Sequence, residues 1–201
     1  MNIILASANV GKIKEIQEWL TFHNVIPYSD ILGVFDIEET GKTFQENAII
    51  KAETINTKLK NIGYEKEYII ISDDSGITVP ALNNEPNIYS ARYAGINATD
   101  KANNKKLISK LNEKKLTRTS AFYTACLAIS FNDKIYTTHG WMYGDVINEE
   151  IGKDGFGYDP LFIPKGFENT LGILEKSVKK DLSHRSKALA LAMKVIGVIL
   201  K

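Results

Sequence analysis

Two adjacent carboxylates stand at the end of a strongly apolar, β-rich run. Asp73 and Asp74 follow directly on Tyr68 to Ser72, a run typical of a strand that is buried on both faces. Open α/β sheets bind ligands in loops that leave such strand ends, and we expect Asp73-Asp74-Ser75-Gly76 to be such a loop. Mg²⁺ prefers one or two carboxylates together with waters and phosphate oxygens. The pattern therefore favours a magnesium site, and the alternative is an ordinary solvated turn.

A second segment suited to chemistry is Ser7-Ala8-Asn9-Val10-Gly11-Lys12. It lies between a predicted strand, Asn2 to Ala6, and a predicted helix, Val10 to Phe22, and the free N–H groups at a helix start attract anions. The glycine and hydroxyl positions of a Walker A loop are missing. Lys12 opposes the helix dipole at a cost of up to about 1 kcal/mol, which a bound phosphate would reverse. A phosphate-binding loop and a solvated surface lysine are equally good interpretations of this segment alone.

Two later segments could contact a ligand. Phe156-Gly157-Tyr158-Asp159 combines aromatic rings, a carboxylate and a flexible glycine, a mixture suited to stacking on a base and bonding to its edge or to the sugar. Ser183-His184-Arg185 opens the last predicted helix with two side chains that can carry positive charge. Such charge is unfavourable at a helix start unless it serves a ligand rich in acceptors.

The elements that must position these segments are predicted from hydrophobic periodicity and turn residues. Thr43 and Glu46 match a capping box at the start of a helix that reaches about Asn61. The twenty residues after Gly76 are expected to be mostly irregular. The remaining predicted strands are Val25 to Tyr28, a hairpin within Ala121 to Tyr143 that turns at Asn132-Asp133-Lys134, a third run at Gly144 to Ile147, and Leu161 to Pro164. The remaining predicted helices run from Thr99 or Asp100 to about Asn112 and from Ser183 onward.

Length and composition narrow the function classes. The chain has 201 residues, and this length favours one domain over residues 1–201, either as a single body or as two closely joined lobes. Its 25 basic and 24 acidic side chains nearly balance, so we expect no long nucleic acid as partner. The single cysteine, Cys126, permits neither an intrachain disulfide nor a cysteine zinc site, and we expect it to be buried. No apolar run approaches about 18 residues, and Met1 to Ala6 is too short for a signal peptide. A cytoplasmic location without a membrane partner is the expectation.

Six segments, taken together and in order, resemble the motif set of the inosine/xanthosine triphosphate pyrophosphatase family. They are SANVGK, EETGKTFQENAIIKA, SDDSG, NIYSARYAG, GFGYDPLFIP and SHRSKAL, and the similarity extends from Asn2 to about Ala192. Enzymes of this family hydrolyse noncanonical purine nucleoside triphosphates. The resemblance implies an elongated α/β fold with a mixed sheet flanked by helices, two lobes around a central substrate cleft, and a homodimer.

The resemblance also implies roles for individual residues. Ser7 to Lys12 match the triphosphate-binding loop, and Lys51 matches a lysine that contacts phosphate. Glu39 and Asp74 match the acidic residues that hold Mg²⁺, and Asp74 also matches the general base. Asp73 and Ser75, on either side of Asp74, match residues beside the substrate. The loop that contacts the purine base is matched by Phe156, Gly157, Tyr158 and Asp159, and the pair that reads the purine by His184 and Arg185.

This sequence departs from the family's pattern in two places. The family begins its first loop Thr-Gly-Asn, whereas Ser7-Ala8-Asn9 keeps the hydroxyl but loses the backbone freedom of glycine. Before Ser-His-Arg the family has Glu-Glu-Lys, whereas this chain reads Glu175-Lys176-Ser177-Val178-Lys179. Counting back five residues from His184 selects Lys179 as the phosphate lysine, while the local Glu-Lys pair selects Lys176. We predict Lys179.

The function implied by the resemblance is Mg²⁺-dependent cleavage of ITP, dITP or XTP between the α- and β-phosphates, which yields the monophosphate and pyrophosphate. One alternative is a related pyrophosphatase that acts on modified pyrimidine nucleoside triphosphates, against which the FGYD and SHR segments argue. Another is a nucleotide-binding module without catalysis, in which the acidic positions Glu39, Asp73 and Asp74 would be expected to be lost. A P-loop kinase is excluded by the missing motif.

Overall fold

The structure, a computed structural model, describes residues 2–7, 9–21 and 23–200. Its strands are β1 (Asn2–Ala6), β2 (Asn24–Pro27), β3 (Tyr68–Val79), β4 (Glu85–Pro86), β5 (Arg118–Phe131), β6 (Lys134–Ile147) and β7 (Phe162–Pro164). Its α-helices are α1 (Val10–Trp19), α2 (Ser29–Leu32), α3 (Phe44–Asn61), α4 (Asp100–Glu113), α5 (Lys176–Leu182) and α6 (His184–Ile199). Short 3₁₀ helices cover Pro80–Leu82, Asn87–Arg92 and Asp159–Leu161.

The strands form one mixed sheet in the order β2-β1-β3-β5-β6-β7, with β4 added to β3. β1 pairs in parallel with both β2 and β3, so that Leu5 lies beside Pro27 on one side and Ile71 on the other. β4 and β7 are antiparallel to β3 and β6. The mixed α/β sheet that the resemblance implied is therefore confirmed.

The residues divide into two compact units, which we call unit 1 and unit 2. Unit 1 comprises Met1–Asp74, Ala125–His139 and Ala188–Lys201, and unit 2 comprises Ser75–Thr124 and Gly140–Lys187. Unit 1 has a core in which Ile3, Ile71 and Leu189 are completely buried. Unit 2 has its own core, which includes Leu107, Tyr123 and Phe162. Each unit therefore has its own hydrophobic interior.

Helix α3 has the N-terminal cap and the buried apolar face that the sequence predicted. The Thr43 hydroxyl accepts the N–H of Glu46 at 3.1 Å, as expected for a helix cap. The Glu46 carboxylate bonds the N–H of Lys42 at 2.6 Å, one residue before the position it takes in a standard capping box. The residues predicted to form the buried face do so; they are Ala48, Ala52, Ile55 and Leu59.

Three predictions of the elements were wrong. Asp73-Asp74-Ser75-Gly76 is not a loop, because β3 continues through it to Val79, and the buried residues Ile77 and Val79 hold its second half in the core. The run Gly144 to Ile147 is not a separate strand but the end of β6. Residues 80–92 contain β4 and two 3₁₀ helices rather than irregular chain. The short helices α2 and α5 were not predicted, since four and seven residues are too few for periodicity to be visible.

None of the helices in the described residues is long and apolar enough to span a membrane. Cys126 is buried, as predicted. Burial raises the pKa of its thiol to about 12, so the reactive thiolate is scarce at neutral pH and cysteine chemistry is not expected here.

Two leucines on α6 provide a test of the unit 1 core. Leu189 is completely buried, whereas Leu191 is 45% exposed. We expect Leu189→Ala to lower the free energy of unfolding by about 2–5 kcal/mol because it opens a cavity. Leu191→Ala should cost less than about 1 kcal/mol. Urea unfolding of both variants measures the difference, and equal losses would contradict this packing.

Candidate active site

The first predicted phosphate lysine pairs with a buried carboxylate. Lys12 Nζ lies 2.5 Å from Asp73 Oδ2, and the Asp73 side chain is 0% exposed. Lys12 is on the first turn of α1, and Asp73 is on β3. The positive charge of Lys12, which is unfavourable at a helix start, is therefore balanced by the carboxylate of Asp73 on β3.

The second predicted phosphate lysine joins the two predicted metal ligands. Lys51 Nζ lies 3.0 Å from Glu39 Oε1 and 3.0 Å from Asp74 Oδ1. Side chains alternate across a strand, so Asp74 points to the face of β3 opposite Asp73, and there it meets α3. The Lys51 side chain is only 10% exposed and that of Asp74 only 8%. We call these five side chains the carboxylate–lysine cluster: Lys12, Glu39, Lys51, Asp73 and Asp74.

Electrostatics in the carboxylate–lysine cluster favour the gain of positive charge. When all five groups are ionised, three carboxylates face two ammonium groups. Burial raises the pKa of Asp74 above its usual value, and the opposing effect of Lys51 and Lys12 does not cancel it. Burial alone would lower the pKa of Lys51, but Asp74, Glu39 and Asp73 outweigh burial and raise it. A cation beside Asp74 would therefore be stabilised.

A buried asparagine that sequence reasoning missed organises this cluster. Asn47 is 0% exposed. Its Nδ2 donates to Asp74 Oδ2 at 3.2 Å, and its Oδ1 accepts the N–H of Gly41 at 2.9 Å. A Cβ on Gly41 would come within 2.6 Å of that Oδ1, so glycine is needed for this approach. The available signal was the spacing of Asn47 and Lys51, two polar residues one turn apart beside an apolar helix face.

The donor set fits Mg²⁺ as a partner of a substrate rather than as a caged ion. In the described ranges no group of three or more His, Cys, Asp or Glu side chains could hold a metal. Glu39 and Asp74 each approach the same ammonium group within 3.0 Å, so both reach a common cation. Two carboxylates with waters and phosphate oxygens are a usual environment for Mg²⁺.

The predicted triphosphate loop begins α1 as expected. The Asn9 side chain caps the helix by accepting the N–H of Lys12 at 3.1 Å. The Ser7 hydroxyl accepts the N–H of Asn9 at 3.2 Å, and Val10 is 78% exposed. Gly11 lies in the first turn of the helix, and Ala8 lies outside the described residues. The open N–H groups of this turn are suited to an anion.

In unit 2 the predicted purine-reading pair is buried. His184 stacks on Tyr123 with 4.8 Å between ring centroids. Arg185 is only 2% exposed, and its guanidinium donates to Ser75 Oγ at 2.9 Å. The Ser183 hydroxyl accepts the N–H groups of Arg185 and Ser186 and so caps α6. Tyr123 was not predicted, because an aromatic residue in a buried strand is ordinary core.

The second predicted group of unit 2 is a turn that we call the glycine loop, residues 152–158. Its Phe156 is 42% exposed and lies with its ring centroid 5.9 Å from the Arg185 guanidinium carbon, whereas Tyr158 is buried and donates to the carbonyl of Ser90 at 2.7 Å. The Asp159 carboxylate accepts the N–H of Phe156 at 3.3 Å. Gly157 has a φ of 60°, a conformation that glycine tolerates.

Lys179, rather than Lys176, lies beside the glycine loop. Lys179 Nζ donates to the carbonyl of Asp154 at 3.3 Å and lies 3.8 Å from Asp159 Oδ2. Lys176 begins the same helix, α5, and is exposed. The role of Lys179 in binding phosphate stays a prediction.

The predicted site residues thus form one group in each unit. The group in unit 1 comprises Ser7, Asn9, Val10, Gly11, Lys12, Glu39, Lys51, Asp73 and Asp74. The group in unit 2 comprises Ser75, Phe156, Gly157, Tyr158, Asp159, Lys179, His184 and Arg185. The first group is chemically suited to phosphate and a hard cation, and the second to a planar base with acceptor atoms.

Comparison with known proteins assigns the chain to a family. The model of the Ham1 family matches residues 3–195. The chain belongs to the Ham1 family. A dITP/XTP pyrophosphatase of Aliarcobacter butzleri (strain RM4018) is 57% identical over 200 residues and is covered, like this chain, over 100% of its length. A second dITP/XTP pyrophosphatase, from Nautilia profundicola, is 53% identical over 96% of this chain and 95% of its own.

A solved structure agrees with the family assignment. A HAM1 protein from Coxiella burnetii matches with a TM-score of 0.86 at 37% identity, over 98% of each chain. The Ham1 match and the names of the two relatives confirm the resemblance found in the six motifs. The sites of this Ham1 protein can therefore be tested as those of a nucleotide hydrolase.

The two lysines of α5 are a matched pair for testing the Ham1 site. If Lys179 binds phosphate as predicted, we expect Lys179→Met to raise the KM for a nucleoside triphosphate by about tenfold or more, because the variant removes that positive charge. Lys176→Met should change KM by less than about twofold, since an exposed lysine is screened by water. Steady-state kinetics on both variants decide the matter, and the reverse order would assign the role to Lys176.

The raised pKa of Asp74 predicts a pH-dependent stability. Between its usual pKa near 3.8 and the raised value, the folded chain binds more protons at Asp74 than the unfolded chain does. The contribution of Asp74 to stability therefore falls as pH rises through this window and is constant above it. With EDTA present, we expect the free energy of unfolding of the wild type, minus that of Asp74→Asn, to decline over this window. Urea unfolding from about pH 4 to about pH 8 measures this difference, and a rise would mean that folding lowers the pKa.

Proposed function

We propose that this protein hydrolyses noncanonical purine nucleoside triphosphates, namely ITP, dITP and XTP, to the monophosphate and pyrophosphate. The observation that carries the proposal is the carboxylate–lysine cluster, in which Lys12 and Lys51 are held beside the carboxylates of Asp73, Asp74 and Glu39. A site that must bind both a polyphosphate and a cation needs these two kinds of group together. The names of the relatives, dITP/XTP pyrophosphatase, support the same reaction.

Glu39 and Asp74 are the residues that would hold Mg²⁺. When bound, Mg²⁺ neutralises the negative charge of the phosphates and of the leaving pyrophosphate. Lys51 bridges Glu39 and Asp74 at 3.0 Å from each. In the proposed complex its ammonium group turns toward a phosphate oxygen, and Lys12 binds another beside the first turn of α1. In a site from which water is partly excluded, the positive charges of Lys51 and Lys12 would stabilise the negative charge that develops in the transition state.

Asp74 is the proposed general base. Its carboxylate takes a proton from the water that attacks the α-phosphorus, the bond from that phosphorus to the bridging oxygen breaks, and pyrophosphate leaves. A base is most effective when its pKa lies near the working pH. Burial raises the pKa of Asp74 in that direction. Asn47, through its 3.2 Å bond to Oδ2, holds the carboxylate in orientation.

Base selectivity is proposed to come from unit 2. The buried guanidinium of Arg185 has N–H donors and no acceptor, so it suits the 6-keto oxygen of hypoxanthine or xanthine. The 6-amino group of adenine offers only donors there and would be rejected. Phe156, with 42% of its side chain exposed, can stack on the purine ring. None of the described contacts favours the pyrimidine alternative.

The resemblance also supports a homodimer in the cytoplasm as part of this proposal. Light scattering coupled to size-exclusion chromatography measures the mass of the assembly. A mass twice that of the 22.4 kDa chain is expected. A monomer would remove the homodimer from the proposal without affecting the reaction.

The proposed reaction is tested by a substrate panel with product analysis. We expect pyrophosphate and the monophosphate from ITP, dITP and XTP with Mg²⁺, and no turnover with EDTA. ATP and GTP should react at least about tenfold more slowly. For ATP the reason is the 6-amino donor, which costs about 1.4 kcal/mol or more opposite the donors of Arg185. GTP shares the 6-keto oxygen, so its rejection must come from the 2-position. Chromatography of the nucleotide together with a pyrophosphate assay identifies both products.

Asp74→Asn is the matched inactive control, because it keeps the shape of the side chain and removes the base. Its kcat should fall by about 10²–10⁴-fold while the circular dichroism spectrum stays that of the wild type. Release of orthophosphate with a nucleoside diphosphate would move the cleavage to the terminal phosphate. Turnover of pyrimidine triphosphates alone would replace the proposal with the pyrimidine alternative.

A further inference from the structure

A row of side chains on α4 contacts the segment that leads into the glycine loop. Asn112 Oδ1 accepts from Asn148 Nδ2 at 2.7 Å, and Asn104 Nδ2 donates to Glu150 Oε1 at 3.0 Å. The third contact is from Asp100, whose Oδ2 accepts the backbone N–H of Gly157 at 2.7 Å. All of these residues lie in unit 2. The order of contacts along α4 is the reverse of their order along residues 148–157.

Asp100 contacts the glycine loop between an exposed and a buried aromatic side chain. Gly157 separates Tyr158, which is 3% exposed, from Phe156, which is 42% exposed. Tyr158 is anchored by its hydroxyl on the Ser90 carbonyl at 2.7 Å. Because Gly157 has no side chain to restrain it, a fixed partner for its N–H restricts the peptide that carries Phe156.

The glycines of the loop make such an external restraint useful. Gly152 and Gly155 have φ angles of 87° and 103°, and Gly157 one of 60°. A Cβ on Gly155 would lie 1.9 Å from Asp159 Oδ2, and one on Gly152 would lie 2.2 Å from the carbonyl of Gly172. The loop thus needs glycine for close packing, and glycine leaves its backbone with the greatest conformational freedom.

We propose that Asp100 is a positioning residue for base recognition: its carboxylate holds the N–H of Gly157 and thereby fixes Phe156 to bind the purine. The inference rests on the proposed function for the identity of the ligand. Asp100 belongs to unit 2 and is not a member of the carboxylate–lysine cluster of unit 1, which is proposed to bind phosphate. Its loss should weaken binding of the base while leaving phosphate chemistry nearly intact, since a hydrogen bond that orients a binding group acts through that group.

A purely structural role at the start of α4 is the competing explanation. Asp100 is the first residue of the helix, and an acidic residue there interacts favourably with the helix dipole. Thr99 provides the matched control, because its hydroxyl caps the same helix by accepting the N–H of Ala102 at 3.2 Å. Thr99→Ala therefore weakens the same turn without removing the bond to Gly157.

The experiment compares Asp100→Ala, Asp100→Asn and Thr99→Ala with the wild type in the full chain, with Mg²⁺. For Asp100→Ala we expect KM for ITP to rise by about fivefold to tenfold with kcat within about twofold. Asp100→Asn, which retains an acceptor oxygen, should recover at least about half of the lost affinity. Thr99→Ala should change neither constant by more than about twofold.

Inorganic pyrophosphate, a product without a base, separates base binding from phosphate binding. Its inhibition constant should be the same for Asp100→Ala and the wild type to within about twofold, because it binds only phosphate-contacting residues. The inference is overturned if Thr99→Ala reproduces the kinetic change of Asp100→Ala. It is also overturned if pyrophosphate inhibition weakens by the same factor as KM rises.

Hydrogen exchange of the glycine loop tests the positioning role of Asp100 without a substrate, and therefore independently of the proposed function. In Asp100→Ala the amides in a peptide spanning residues 152–161 should exchange faster than in the wild type and in Thr99→Ala. Identical exchange in the two variants would overturn the positioning role even if ITP is a good substrate. A wild type that releases no pyrophosphate from any purine would refute the proposed function, and the exchange result would still decide whether Asp100 holds the loop.

Discussion

The cost of burying carboxylates on β3 shapes the arrangement of unit 1. Asp73 and Asp74 follow three isoleucines of zero exposure, and their side chains are 0% and 8% exposed. A buried charge without compensation would be strongly destabilising. Lysines from α1 and α3 supply that compensation on opposite faces of the strand, through Lys12 and Lys51. Ammonium groups are natural partners of a phosphate, so the lysines that offset the buried carboxylates are also the groups proposed to bind the substrate.

The charges of the carboxylate–lysine cluster suit catalysis. Its three carboxylates face two ammonium groups, and the pKa of Asp74 is raised above its usual value because burial outweighs the attraction of Lys51 and Lys12. Sites of reaction commonly keep such unfavourable charge because it is useful there. The side chain of Asn47 restricts the movement of the Asp74 carboxylate, because it donates to that carboxylate and also accepts the backbone N–H of Gly41.

Unit 2 also buries a charged side chain, but here the charge is positive and one of its acceptors is a hydroxyl. Arg185 is almost completely buried, with Ser75 Oγ as one acceptor and the Phe156 ring nearby. The neighbouring His184 stacks on the ring of Tyr123. The glycine loop beside them is restrained by Asp100, Asp159 and Tyr158. Residues of unit 2 therefore hold a glycine-containing loop whose own sequence allows its backbone much conformational freedom.

The sequence by itself determined the family, the mixed α/β class, most of the element positions and the chemical character of both residue groups. These follow from local signals: strand and helix periodicity, the Thr43 cap, and motifs such as SDDSG and SHR. The tertiary structure alone decided that SDDSG continues β3, that Lys12 faces Asp73 while Lys51 faces Asp74, and that Asn47, Tyr123 and Asp100 support the groups. These features depend on pairs of residues far apart in the chain. A carboxylate at the end of an apolar run looks the same whether it begins a solvated turn or continues a buried strand, and only the side chains that fold against it make the difference.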